Sequence, residues 1–359
     1  MAGSNEQTAW QLFVAANCMV NGKLTWETWT EQSCFLKPGS CGPEAAASAM
    51  VHRLHGSRLG EGLRRKVAKS TASDPLAGDC SAMTNTDTKF PELKPFVPKN
   101  LAPGAKFCEE VFVNSAEAAF VQTPAPGATL TTLTAQVAYA GATPGGIQFP
   151  TPAVEIKADW LPAAAVNNAF DCTTNPPAGV YVETIAGTCY ALVGIHVSSK
   201  LLPSWLWATF EPQNPITNPN RCNPDLYNAC NDPWGSSPAT STGSSTQATP
   251  ALLALMDQAG IAKQFSNYRL VAAQSSYLDA NGNAIQLGNS FVEFNASVLP
   301  HQASCMTCHS YALVTTKGVE NPNFGAFPGD PPIGTPGNPP SGDTWLSPDF
   351  SWMLGIMPK

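Results

Sequence analysis

The sequence predicts an α+β fold: a β-rich body with flanking helices, and a C-terminal segment of helix and loop. Three observations predict it. "AVEIKADW", "YALVGIHVSS" and "WLWATFEP", between residues 153 and 212, carry period-two alternation or aromatic and β-branched enrichment. "NEQTAWQLFVAANCMV" near the start and "PALLALMDQAG" from residue 250 repeat apolar residues at helical spacing. The chain has 359 residues, 43% hydrophobic and only 13% charged, so it can bury a sizeable core and does not have the composition of a disordered chain. We divide it into a β-rich body with N-terminal helices over 1–240 and a segment over 241–359 packed on that body.

The elements follow in order. Trp10, Phe13, Val14 and Cys18 share one face of the first helix. "KLTWETWT" then reads as extended. A second helix is expected from Pro43 to about Lys69, with Gly56 and Gly60 as breaks. Residues 71–108 are Pro-rich and read as loop. In "AVEIKADW", Glu155, Lys157 and Asp159 oppose Val154, Ile156 and Ala158. In "YALVGIHVSS", Ala191, Val193, Ile195 and Val197 take one face, and Tyr190, Leu192, Gly194, His196 and Ser198 the other. In "WLWATFEP", Trp205, Trp207, Thr209 and Glu211 line up. The Ser/Thr/Gly-rich stretch 234–249 reads as a flexible linker. Pro250 opens the helix that follows, and residues 268–288 read as a hairpin turning at Asn281-Gly282. "DANGNA" lacks the glycine and the glutamate of a calcium loop. The tail after Lys317 is rich in Pro and Gly until "TWLSPDFSWMLGIMPK".

Composition excludes some classes of function. A net charge of -7 argues against nucleic acid as a partner, because phosphate binding needs a basic surface. No apolar run is long enough for a transmembrane helix, so no membrane span is expected. "MAGSNEQTAW" has neither the basic start nor the apolar run of a signal peptide and reads as the start of a mature chain. Eleven cysteines suit an oxidising compartment. Cys34 with Cys41, Cys172 with Cys189, and Cys222 with Cys230 each bracket a short loop, and Cys80 with Cys108 makes a fourth pair. Cys18 is left over, and Cys305 and Cys308 stand apart.

Those two cysteines lie in "SCMTCHSYA", residues 304–312. C-x-x-C-H is the pattern of covalent haem attachment. Two thiols add across the porphyrin vinyl groups, and the adjoining histidine reaches the iron. Random placement of eleven cysteines and five histidines in 359 residues would give the pattern about 0.005 times per chain. Half a zinc site is the first alternative, but no second C-x-x-C or H-x-H pair accompanies it. A redox dithiol is the second, but no thioredoxin-like βαβ pattern surrounds it. The expectation is one haem c, held by Cys305 and Cys308, with His309 as proximal iron ligand.

Over 290–315 the chain resembles the c-type cytochromes. More broadly, "WQLFVAAN…LTWETW", "VEIKADW", "YALVGIHVSSK…PSWLWATFEP" and "LGNSFVEF…SCMTCHSYA", spread over residues 10–312, resemble a group of large bacterial proteins described only as cytochrome c family proteins. That resemblance implies haem, export to the periplasm or beyond, and electron chemistry, but no substrate. The chain departs from small cytochromes c, whose motif opens a compact helical domain. Neither their fold nor their downstream methionine ligand is carried over.

For the distal side of the iron the candidates are His196, Met353 and Met357. His301 lies too close to Cys305 along the chain. His52 and His55 fall in a basic helical stretch that reads as a solvated face or a docking patch. Glu155, Lys157, Trp207 and Glu211 are candidate lining residues. Of these, Glu155, Lys157 and Glu211, with His196, are candidates for acid-base work. Three functions compete: an electron carrier serving a redox partner protein, a peroxidase-like haem oxidoreductase acting on a small molecule, and a haem-based sensor or binding module. Electron transfer is placed first. A serine hydrolase is set aside because G-x-S-x-G is absent.

Overall fold

The computed structural model describes residues 3–36, 81–82, 100–122, 129–185, 187–213, 222–225, 227–243, 245–291, 293, 298–319, 334–336, 338–339 and 341–355. The expected helix over 43–69, with His52 and His55, lies outside them, as do Cys41, Cys80 and Met357.

The fold is α+β. Helix α1 (Asn5–Ala16) starts where the Ser4 side chain accepts a hydrogen bond from the backbone of Gln7, a standard N-cap. Its buried face, Trp10, Phe13 and Val14, lies on an antiparallel sheet, where the Phe13 ring sits 4.4 Å from that of Phe210. The Trp10 indole donates to the buried Asp232 carboxylate at 2.7 Å, which ties the helix to the segment that links the sheet strands Leu206–Pro212 and Tyr268–Gln274.

The sheet is built from β1 (Thr30–Glu31), β2 (Lys106–Val113), β3 (Val154–Pro162), β4 (Val182–Ile185), β5 (Thr188–Ser199), β6 (Leu206–Pro212) and β7 (Tyr268–Gln274). The order is β7-β6-β5-β3-β2-β1, with β4 on β5 and Ser81–Ala82 on β2. Every pairing is antiparallel. Ile156, Ala158, Ile195, Val197, Ala208 and Phe210 point to the core beneath α1. The opposite face is polar. One transverse row on it runs Val111, Lys157, His196, Thr209; the next runs Val113, Glu155, Ser198, Trp207.

Among the described residues the remaining α-helices are α2 (Ser115–Gln122), α3 (Leu133–Ala142), α4 (Pro250–Ala259), α5 (Cys305–Ser310) and α6 (Trp352–Gly355). Helix α4 begins at Thr249, which caps Leu252, and ends at Gly260 with φ 64. Among the described residues, no helix is long and apolar enough to cross a membrane. Cys172–Cys189 and Cys222–Cys230 are disulfides, as expected, and Cys34 and Cys108 are disulfide-bonded too. The pairings of the latter two with Cys41 and Cys80 fall on residues outside those described. Covalent bridges of this kind suit an oxidising, extracellular setting.

Four local expectations are corrected. "KLTWETWT" is mostly a 3-10 turn at Thr25–Thr28, because the Glu27 carboxylate accepts from the Leu24 backbone at 2.8 Å and closes it. Residues 106–108 belong to β2 and not to a loop. The described residues of the stretch 234–249 include paired strands: Ser236–Ser237 pairs with Gln247–Ala248, and Thr240–Ser241 pairs with Cys230–Asn231. Strand β7 does not fold back on 284–288 but pairs with β6, and only Leu278 bridges Ala284 across the Gly282 turn.

A fifth correction concerns β5. Its partners step from Gly194, opposite Asp159, to Leu192, opposite Trp160, so Val193 is the extra residue of a bulge. One inserted residue reverses the alternation. Tyr190 and Leu192 therefore join Ile195 and Val197 in the core, while Ala191 and Val193 pack with Phe107 and Phe291. Strict alternation would have put them the other way round.

Candidate functional site

The polar face of the sheet and the C-terminal segment line a pocket that is partly open to solvent. Strands β2, β3, β5 and β6 supply Glu109, Val111, Glu155, Lys157, His196, Ser198 and Trp207. The C-terminal segment supplies Cys305, His309, Trp352 and Met353.

Helix α5 carries the cysteine-histidine motif. Ser304 caps it, and the Gln274 side chain at the end of β7 both donates to Ser304 Oγ at 3.0 Å and accepts from the Met306 backbone at 3.2 Å. Thr307 Oγ1 donates to the Gly334 carbonyl at 2.6 Å. Helical spacing of three brings Cys305 and Cys308 onto one side of α5, with His309 next to the second. Both thiols are free, whereas Cys34, Cys108, Cys172, Cys189, Cys222 and Cys230 are bridged. Burial raises both thiol pKa values, that of Cys308 to about 11, so neither is a ready thiolate.

His309 Nδ1 lies 2.8 Å from the Phe350 carbonyl oxygen. A carbonyl only accepts, so Nδ1 carries the proton and Nε2 keeps its lone pair. Burial pushes the His309 pKa down to about 4, against the opposing pull of the Phe350 bond, so the ring is neutral at pH 7. The ring packs against Trp207 at 4.4 Å and faces Trp352 at 6.4 Å. A neutral imidazole with a committed Nδ1 is the usual form of a histidine ligand to a metal.

On β5, His196 lines the same pocket, half-buried and neutral. Burial, then the charge of Lys157, holds its pKa well below the ordinary value. Its Nε2 has no hydrogen-bond partner among the described residues and lies 3.7 Å from Glu293 Oε1. His196, Glu293 and Cys305 each offer a ligand atom within 4.8 Å of the others.

The charges around the cavity are unequal in number. Lys157 Nζ lies 2.8 Å from Glu109 Oε2. Burial alone would lower the Lys157 pKa, but Glu109 and then Asp159 raise it. Burial raises the Glu155 carboxyl to about 7 despite Lys157. Asp159, completely buried, is raised well above the usual carboxylate range by burial and then by Glu109. Neither of its oxygens has a hydrogen-bond partner among the described residues.

The structure thus brings together Glu155, Lys157, His196, Trp207, Cys305, His309 and Met353 from the sequence expectations. Glu211 is not part of the wall: its carboxylate accepts from Ser290 N at 2.6 Å and Ser290 Oγ at 3.0 Å, pinning the loop after β7. Glu109, Glu293 and the Phe350 carbonyl were not foreseen. A strand reading of "KFCEEVFV" would have found Glu109. No side-chain pattern marks the other two.

The chain matches no protein-family profile, no curated protein and no solved structure. The candidate site therefore stands on its residues alone.

Proposed function

We propose that this chain is an exported c-type cytochrome that carries one haem and transfers electrons to or from a redox partner. One observation carries the reading. The C-x-x-C-H helix carries unbridged Cys305 and Cys308, Cys305 and His309 line the pocket over the polar sheet face, and His309 spends Nδ1 on a backbone carbonyl. Those residues fit the group: the thiols would hold it through thioethers, and His309 Nε2 is the free imidazole donor. When bound, haem supplies a one-electron iron couple. The chain's own residues do the rest. Phe350 orients His309, Trp207 and Trp352 wall it on two sides, and Met353 and His196 are the described candidates for the far side. The disulfides and the absence of a membrane-spanning helix among the described residues support export to the periplasm or outside the cell.

A second reading, a haem oxidoreductase acting on a small molecule, is favoured by one feature. The cavity wall includes Glu109, Glu155 and Lys157, ionisable groups that a simple carrier does not need and that are able to hold or move protons.

The test is production in a host with haem-attachment machinery, followed by denaturing extraction and a pyridine haemochrome spectrum. One covalent haem per chain is expected, lost in the double variant Cys305→Ala/Cys308→Ala. A native protein that is colourless, or that holds a stoichiometric non-haem metal at His196, Glu293 and Cys305, overturns the proposal. Carbon monoxide separates the two readings: an unchanged ferrous spectrum supports the carrier, and a shifted one supports the oxidoreductase.

A further inference from the structure

The loop that supplies the Phe350 carbonyl adopts an unusual backbone. Asp349 and Phe350 are consecutive non-glycine residues with φ 54 and φ 68. L-residues avoid this region because Cβ crowds the following carbonyl, and a bulky phenylalanine there is an outlier. Such a conformation persists only where the surroundings over-determine it.

Here the surroundings are a buried ion pair. Asp349 Oδ1 accepts from Lys200 Nζ at 2.6 Å, and Oδ2 accepts from the Phe149 backbone at 2.8 Å. Lys200 Nζ also donates to the Pro203 carbonyl at 2.6 Å. The side chains are only 7% and 2% exposed. A pair this deep is a poor device for stability alone, since desolvation offsets much of its attraction. It is a good device for fixing a position. Lys200 follows directly on β5, the strand that places His196 in the cavity wall.

We propose that Lys200 and Asp349 are positioning residues for His309: they lock the left-handed turn that holds the Phe350 carbonyl against Nδ1, and so set the strength of the Nδ1–H hydrogen bond and with it the donor strength of the ring. The consequence for iron rests on the haem reading above; the clamp on the ring does not. A carbonyl acceptor at Nδ1 makes an imidazole a stronger donor, and a stronger donor favours the ferric state. Loosening the clamp is therefore expected to raise the reduction potential.

The experiment compares the wild-type protein with Lys200→Met, Lys200→Arg and Asp349→Glu. Each is read by nitrogen-15 NMR of labelled histidines and by potentiometric titration. In Lys200→Met the hydrogen bond donated by His309 Nδ1–H is expected to weaken, read as a changed Nδ1 nitrogen and proton shift and faster exchange of that proton. The ferric-to-ferrous equilibrium is expected to shift about tenfold toward ferrous, about 59 mV for a one-electron couple, with covalent haem retained. Lys200→Arg, which keeps the charge, is expected to recover most of both. If Lys200→Met does not fold, Asp349→Glu keeps both charges but moves the anchor, and it is expected to shift both readouts in the same direction. A folded Lys200→Met or Asp349→Glu protein with wild-type Nδ1–H shift, exchange and potential overturns the clamp, whatever its thermal stability. A wild-type protein without covalent haem overturns the functional reading instead, and the Nδ1 measurement, which there includes the tautomer, still decides the clamp.

Discussion

Replacing Lys157 by methionine is expected to cost far more stability than replacing its partner Glu109 by glutamine. The asymmetry comes from counting charges. Lys157 is surrounded by the carboxyl groups of Glu109, Asp159, Glu155 and Glu293. Glu109→Gln leaves the lysine with Asp159 and Glu293 and keeps an oxygen to accept from it, so the loss is that of one charge-assisted hydrogen bond, about 1–2 kcal/mol. Lys157→Met leaves a group of buried acids without their cation. Breaking a buried pair from that side costs about 3–5 kcal/mol, with the lower end expected because the lysine side chain keeps 19% exposure. The gap should depend on pH. Glu155 is raised to about 7 and Asp159 is raised in the same direction, so as pH falls through 7 Glu155 takes up a proton and needs the lysine less. The Lys157→Met penalty is therefore expected to shrink between pH 7.5 and pH 5, while that of Glu109→Gln changes little. Urea unfolding with linear extrapolation at several pH values measures both. Equal penalties at pH 7.5, or a Lys157→Met penalty independent of pH, would refute the charge count.

Two further outcomes follow from the same wall. Glu155 has a folded pKa raised above its unfolded value, so the folded state binds its proton more tightly; stability from this group is full below about pH 4.5 and falls as pH rises toward 7. Glu155→Gln should flatten the pH profile of unfolding over that window by about 1–2 kcal/mol, less than a fully desolvated carboxyl would give, and an unchanged slope would count against the assignment. Gly194→Ala should destabilise by about 1–3 kcal/mol, because a Cβ there would meet Asp159 Oδ2 at 2.9 Å and Asn289 Oδ1 at 3.0 Å. Thermal unfolding checks it, and a neutral result would mean that the loop carrying Asn289 yields freely.

How much was legible depended on which part of the chain encodes each feature. Strand faces carrying Glu155, Lys157, His196 and Trp207 were readable because a period of two assigns a side by counting. Counting failed where the register itself changes: the bulge at Val193 is a property of pairing with β3 and leaves no mark on β5 alone. Glu109 was hidden because "KFCEEVFV" places two glutamates side by side. One of them, Glu110, is buried among apolar residues and accepts from the Trp160 indole at 2.9 Å. The Phe350 carbonyl was beyond sequence reasoning altogether, since its role comes from two backbone angles and not from a side chain.

The sheet also explains why a motif of five residues sits against so large a body. A sheet face bearing Glu109, Glu155, Lys157, Asp159 and His196 cannot close a hydrophobic core, and it gains nothing by being covered unless the cover answers its charges. The C-terminal segment covers it with groups that are mostly neutral: Cys305, a deprotonated His309 ring, Trp352 and Met353. Burying acids beneath neutral neighbours is unfavourable for folding alone, and it leaves Asp159 without a hydrogen-bond partner among the described residues and Glu155 near its titration point at neutral pH. That arrangement makes sense if the covered space is to hold a group whose charge changes. Acids with raised pKa values beside it are then placed to take up or release a proton as that charge moves.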